Sequence, residues 1–272
     1  MKKSVISILM LIIIFIFSAC AKSGTAQSID ITGKVSASGS TALLPIVKEA
    51  AKGYMDINKK LNVSVGGGGS GTGLQQVKDG TVDIGNSDVF DESNSGLVDN
   101  QVAIEPFAFI VNKNVKVSNL TKQQLIGIFS GEITNWSVLG GDKAKIVVVM
   151  RQASSGTRLT IQKEVMGNKK FTTNAVVIES SGAVKKTVAN TPYSIGYVDF
   201  AYVDSSLKAL SYNGIAPIIK NVKNGKYTLK SIGHMYTKGA PKPAVKGFIQ
   251  YIQSADFQNT VLPKYKFVPI KR

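Results

Sequence analysis

The chain has 272 residues and a formal net charge of +16, from 33 Lys and Arg against 17 Asp and Glu. It carries one histidine and one cysteine, which excludes an internal disulfide and leaves almost nothing from which a metal site could be built. The same shortage leaves any serine nucleophile without an obvious base partner, so neither a catalytic residue, a metal nor a cofactor is expected.

At the amino end, Lys2 and Lys3 precede an apolar run over residues 5–17 that only Ser7 interrupts. A short basic region with an apolar core of this length reads as a secretory signal over residues 1–19, too short to span a bilayer comfortably. A transmembrane anchor with an incidental cysteine is the alternative. Phe17-Ser18-Ala19-Cys20 resembles the lipobox of bacterial lipoproteins. That resemblance implies a diacylglyceryl group on Cys20, further acylation (palmitate) and anchoring on the extracytoplasmic face of the cell membrane. Residues 20–29 are small and polar and read as a flexible tether. The excess of lysine would also suit nucleic acid, but the lysines are scattered and no basic run is interleaved with aromatics. An exported basic surface near anionic lipid, which also draws in anions, explains it better, and no nucleic-acid partner is expected.

About 240 residues remain, enough for one large domain or two modest lobes with proper cores. Residues 29–35 look like a first strand. Ser36-Ala37-Ser38-Gly39-Ser40-Thr41 follows, then a helix with Leu43, Leu44, Ile46, Val47, Ala50, Ala51 and Tyr54 on one face and Pro45 in its first turn. A second unit of the same kind comes at once: a strand over 61–65, the glycine run of residues 66–73 with Ser70 and Thr72 in it, and a helix over 74–78. Glycines this dense make either a floppy linker or a close approach of backbone to something, and the place between strand and helix favours the second. No lysine ends the run, so it is not a Walker A loop, and Thr72 breaks a nucleophile elbow centred on Ser70.

Asp83 reads as a turn or cap. Asp88 ends a strand-like stretch after Gly85, where side chains often point into a cleft. A third strand–loop–helix unit runs from the apolar residues 146–150 through Arg151-Gln152-Ala153-Ser154-Ser155-Gly156-Thr157 into a helix with apolar Leu159, Ile161, Val165 and Met166. Unpartnered N–H groups, a positive helix end, two hydroxyls, a glycine and a permanently charged fork donor at one loop make an anion cradle. Trp136 and Ile133 read as core, His234 as a structural histidine, and Arg158 as paired with a neighbouring carboxylate. Residues 105–111 and 232–237 are extended and apolar, 195–200 is a strand, and 243–253 is an amphipathic helix with Val245, Phe248, Ile249 and Ile252 in register.

Five motifs in order now carry a family resemblance: Ser-Gly-Ser-Thr (38–41), Gly-Gly-Gly-Ser-Gly-Thr-Gly (67–73), Thr-Val-Asp-Ile-Gly-Asn-Ser-Asp (81–88), Phe-Ser-Gly-Glu-Ile-Thr-Asn-Trp (129–136) and Arg-x-x-Ser-Ser-Gly-Thr-Arg (151–158). The chain resembles the phosphate-binding lipoproteins of bacterial ABC-type phosphate importers from about residue 34 to its carboxyl end. The resemblance implies an α/β, bilobal type II periplasmic-binding-protein fold, with two α/β lobes joined by two crossover strands. It places lobe 1 in residues 30–108 and 232–272 and lobe 2 in residues 109–231. It implies phosphate ligands at Thr41, the Ala42 amide, Ser70, Asp88, Arg151, Ser155, Gly156 and Thr157. It further implies a monomeric, non-enzymatic carrier that hands inorganic phosphate to the permease subunits and their ATPase complex. A binder of another tetrahedral oxyanion such as sulfate, or a phosphate-binding surface protein without a transporter, is the alternative reading. A hydrolase using Ser155 or Ser70 lacks a base.

Overall fold

The computed structural model describes residues 32–93 and 95–270, so the expected signal, Cys20 and the tether lie outside the described residues. The elements run β1 (Gly33–Gly39), α1 (Leu44–Ile57), β2 (Leu61–Val65), α2 (Ser70–Asp79), β3 (Ile84–Ser87), β4 (Leu97–Val111), β5 (Asn119–Leu120), α3 (Lys122–Ser130) and β6 (Val147–Arg151). They continue through α4 (Gly156–Ile161), β7 (Val176–Ile178), α5 (Ser181–Asn190), β8 (Ser194–Asp199), β9 (Lys208–Ala209), β10 (Ser211–Tyr212), α6 (Ile219–Lys223), β11 (Lys230–Lys238) and α7 (Pro243–Gln253). Among the described residues no helix is long and apolar enough to cross a membrane.

The main sheet runs β2-β1-β3-β11-β4-β8-β6-β7. Here β1 lies parallel to both β2 and β3, as strand–helix–strand connections require. One strand serves both halves of the sheet: β4 pairs with β11 from Leu97 to Pro106, then with β8 from Phe107 to Val111. The extended segments expected at 105–111 and 232–237 are both strands, but β4 begins well before residue 105. Its first half carries Asp99, Asn100 and Gln101 at exposed or half-exposed positions, which hides the strand from an apolar-run reading.

Two separate apolar cores follow from this. The first gathers Val35, Ile46, Val47 and Tyr54 with Val245, Phe248, Ile249 and Ile252 of α7. The expected faces of α1 and α7 thus meet, with the Tyr54 and Phe248 rings 5.7 Å apart. The second core centres on Phe107, Phe109, Phe129, Trp136 and Tyr197. Trp136 is core as expected, and its indole N–H donates to the Tyr193 carbonyl at 2.8 Å, so its one polar atom is satisfied. Each such fully buried large side chain contributes about 1.5–3 kcal/mol. His234 is structural: 4% exposed, Nδ1 2.8 Å from Asp99 Oδ1 and stacked on Tyr236.

Candidate functional site

The parallel strands carry the three hydroxyl-rich loops to their carboxyl ends, where α1, α2 and α4 begin. On the first lobe, Ser40 is fully buried and its Oγ accepts the N–H groups of Ala42 at 3.0 Å and Leu43 at 3.1 Å. Both lone pairs are thereby used, so its single proton goes to Asp88 Oδ1, with which it is hydrogen-bonded. The Ala42 amide, expected to face an anion, is thus engaged by Ser40. Ser70 opens α2, and its Oγ accepts the Asp88 N–H at 3.0 Å, which leaves the Ser70 hydroxyl proton to donate elsewhere.

On the second lobe, Arg151 ends β6 and is 1% exposed. Its Nη1 donates to Ser181 Oγ at 2.9 Å and its Nη2 to the Glu179 carbonyl at 2.8 Å, while Nε has no partner among the described residues. Ser155 caps α4, its side chain accepting the Arg158 N–H. Thr157 Oγ1 donates to Asp88 Oδ2 at 3.0 Å, joining the two sides. Gly156 is where this closeness shows most. A Cβ there would fall 2.2 Å from Ser70 Oγ and 2.9 Å from the Asp88 Cβ, so any side chain would force the lobes apart. A Cβ on Gly73 would likewise fall 2.7 Å from the Gly39 Cα, which is why α2 can lie against β1.

The expected residues therefore meet in one cleft, linked directly or through Ser40 and Ser181. Cavities flank it on either side. One of about 520 Å³ is lined by Asp88, Phe90, Leu159, Lys163, Lys230 and His234. The other, of about 570 Å³, is lined by Thr41, Gly68, Gln152, Glu179 and Ser180. Among the described residues no group of His, Cys, Asp and Glu is placed to hold a metal ion.

A family model described as a PBP superfamily domain matches residues 24–256 of this chain. The phosphate-binding protein PstS of Bacillus subtilis (strain 168) is 38% identical over 283 residues, covering 98% of this chain and 94% of that protein. The protein of the same name from Borreliella burgdorferi is 31% identical over 243 residues, covering 84% and 87%. The chain belongs to the PstS family of phosphate-binding proteins. Among solved structures, one from Clostridium perfringens with bound phosphate superposes with a TM-score of 0.84 at 31% identity, over 88% of this chain and 100% of that one. An ABC-type phosphate transport receptor from Vibrio cholerae gives 0.71 at 28% identity, over 87% and 100%. The bilobal α/β fold is that of the family, which is a group of binding proteins rather than enzymes.

Several residues of the cleft escape sequence reasoning in this PstS-family chain. Ser181 bridges Thr41 and Arg151. Its signal was present: a short strand, Glu179-Ser180-Ser181-Gly182 and a helix repeat the strand–hydroxyl–helix pattern a fourth time. Tyr202 donates to the Thr41 carbonyl at 2.5 Å. Glu105 and Asp199 lie fully buried near Asp88, and both Glu105 oxygens lack a hydrogen-bond partner. Burial, reinforced by the Asp88 and Asp199 carboxylates, pushes Glu105 well above the usual carboxylate range. Burial also raises Asp199 well above its ordinary value, and Asp88 adds to this. Asp88 itself is raised by burial, against the pull of Ser40, Arg151 and Thr157.

Arg158 is a correction. Among the described residues it pairs with no carboxylate: Nη1 donates to the Arg151 carbonyl at 2.7 Å, and the guanidinium lies over the Phe171 ring at 4.6 Å. It braces the loop from behind. Leu159, one of the apolar positions read on this helix, is 44% exposed and lines the first cavity.

Proposed function

We propose that this protein captures inorganic phosphate between two lobes outside the cytoplasm and delivers it to an ABC-type importer. The observation that carries the reading is Arg151. A guanidinium 1% exposed with Nε unpartnered is costly unless an acceptor arrives, and the Ser181 hydroxyl on its Nη1 is itself met by the Thr41 hydroxyl from the other lobe. Thr41, Ser70, Asp88, Arg151, Ser155, Gly156 and Thr157 are the proposed ligands, with the Ala42 amide shared between the anion and Ser40 Oγ. The lobes are residues 30–108 with 232–272, and residues 109–231.

Arg151 and Asp88 cancel in formal charge, so a phosphate anion is held chiefly by dipoles and hydrogen bonds. The amino ends of α1, α2 and α4 each bring roughly half a unit of positive charge. Those donors act most strongly once the lobes exclude water, so the ligand favours the closed form. The closed form then docks on the permease as a monomer. Calorimetry with phosphate and sulfate in turn tests the reading: phosphate heat with little from sulfate is expected. Free phosphate at a thousandfold its dissociation constant should raise stability by about 4 kcal/mol. Equal binding of both anions, or of neither, would overturn the phosphate assignment.

Anchoring rests on the basic–apolar leader and Cys20. We propose lipidation at Cys20, with the mature protein held on the outer face of the cell membrane. Wild type should partition into detergent and incorporate labelled fatty acid, and Cys20→Ser should do neither by this route. Negative results for wild type in both assays would remove the lipid anchor from the reading.

A further inference from the structure

Thr41 is a proposed phosphate ligand that the opposite lobe holds by both its side chain and its backbone. Its Oγ1 accepts the Ser181 N–H at 3.1 Å and lies 3.1 Å from Ser181 Oγ. Its carbonyl accepts the Tyr202 hydroxyl at 2.5 Å. That carbonyl belongs to the same planar peptide unit as the Ala42 N–H, and the two point in opposite directions. Fixing the carbonyl therefore fixes the amide, whose N–H donates to Ser40 Oγ at 3.0 Å, so the grip is passed on to the Ser40 hydroxyl that holds Asp88.

Ser181 works in a second direction as well. Its Oγ accepts Arg151 Nη1 at 2.9 Å, and with the Glu179 carbonyl on Nη2 this sets the plane of the guanidinium. Nε is the donor left without a protein partner. Ser181 is 1% exposed, so its hydroxyl has no competing solvent. The Tyr202 ring also lies beside the first turn of α5: a Cβ on Gly182 would sit 3.6 Å from its Cε1. Burial, with Asp199 next, pushes the Tyr202 phenol well above its ordinary value, so it remains a donor throughout the physiological range.

We propose that Tyr202 and Ser181 are positioning residues for phosphate: from the second lobe they grip Thr41, aiming its hydroxyl and the Thr41–Ala42 peptide, while Ser181 also aims the Arg151 fork. This rests on the phosphate reading above and extends it to residues that need not touch the anion. The grip forms only when the lobes are together. Its loss therefore acts on escape of the anion more than on encounter.

The test uses the full chain in mild detergent, as wild type, Tyr202→Phe, Ser181→Ala and each of these combined with Thr41→Val. Phosphate affinity is measured by calorimetry and dissociation by rapid dilution, with melting recorded without phosphate. Each single variant should bind phosphate about tenfold more weakly, through faster dissociation, with unliganded melting unchanged. Ser181→Ala should cost less in the Thr41→Val background, because part of its effect passes through Thr41. Wild-type affinity and dissociation in both single variants would overturn the proposal. So would losses that only track a lowered melting temperature, which mark a structural role. Wild type that fails to bind phosphate would overturn the phosphate reading and this one together. Binding by wild type with unaltered variants would overturn this one alone.

Discussion

Arg151→Ala should weaken phosphate binding by about 2 to 5 kcal/mol, a loss of several orders of magnitude at the upper end. Three consequences of one deletion add up. The charge-assisted donor goes, including the Nε that lacks a protein partner. Ser181 Oγ and the Glu179 carbonyl lose the group that orders them. The cation that favours the ionised form of Asp88 is removed as well, so burial pushes that carboxyl further up. Arg151→Lys keeps a charge but not a planar fork, and should fall between wild type and Ala. Calorimetry on the three proteins decides it, and undiminished affinity in Arg151→Ala would move the anion site elsewhere.

What the sequence revealed of this site it revealed through local causes. The units ending in Thr41, Ser70 and Thr157 each join a strand to a helix through a Gly/Ser loop, and such a loop declares itself within about ten residues. The fourth unit, ahead of α5, passes unnoticed because β7 is a three-residue edge strand whose Val176 and Val177 are 42% and 53% exposed. No alternation or long apolar run marks it. Tyr202 and Glu105 are harder still. Tyr202 meets Thr41 across 161 positions of sequence. Glu105 sits in β4, where it looks like one polar residue in an apolar strand. Only the pairing of β4 with both β11 and β8 brings it beside Asp199 and near Asp88. Periodicity likewise does not show that Leu159 lies exposed at a cavity, because tertiary packing sets which face of α4 is covered.

Asp88→Asn should abolish most of the discrimination between phosphate and sulfate, chiefly by a gain in sulfate affinity. The two anions have nearly the same size and shape, so an array of donors alone cannot separate them. At neutral pH phosphate still carries at least one proton and sulfate carries none. Asp88 is placed to use that difference: Oδ1 takes the only proton Ser40 has to give, and Oδ2 takes the Thr157 hydroxyl. The ionised carboxylate offers only acceptors, so it receives a phosphate hydroxyl but faces sulfate lone pair to lone pair. A buried site built for a ligand's donor rejects an analogue lacking it by roughly ten-thousandfold. Burial raises Asp88, however, so its own protonation lies closer to the working pH than an exposed aspartate's would. Sulfate can bind well only when solvent supplies the missing proton to that carboxyl. Its affinity should accordingly rise as pH falls, by up to about tenfold per unit while Asp88 remains mostly ionised, and the phosphate-to-sulfate ratio should shrink in step. Asn carries a permanent donor and no titration, so the variant should bind sulfate with little dependence on pH. Titrations of both anions across the acid range settle the matter: an unchanged affinity ratio in Asp88→Asn, or a wild-type sulfate affinity flat with pH, would show that another group makes the distinction.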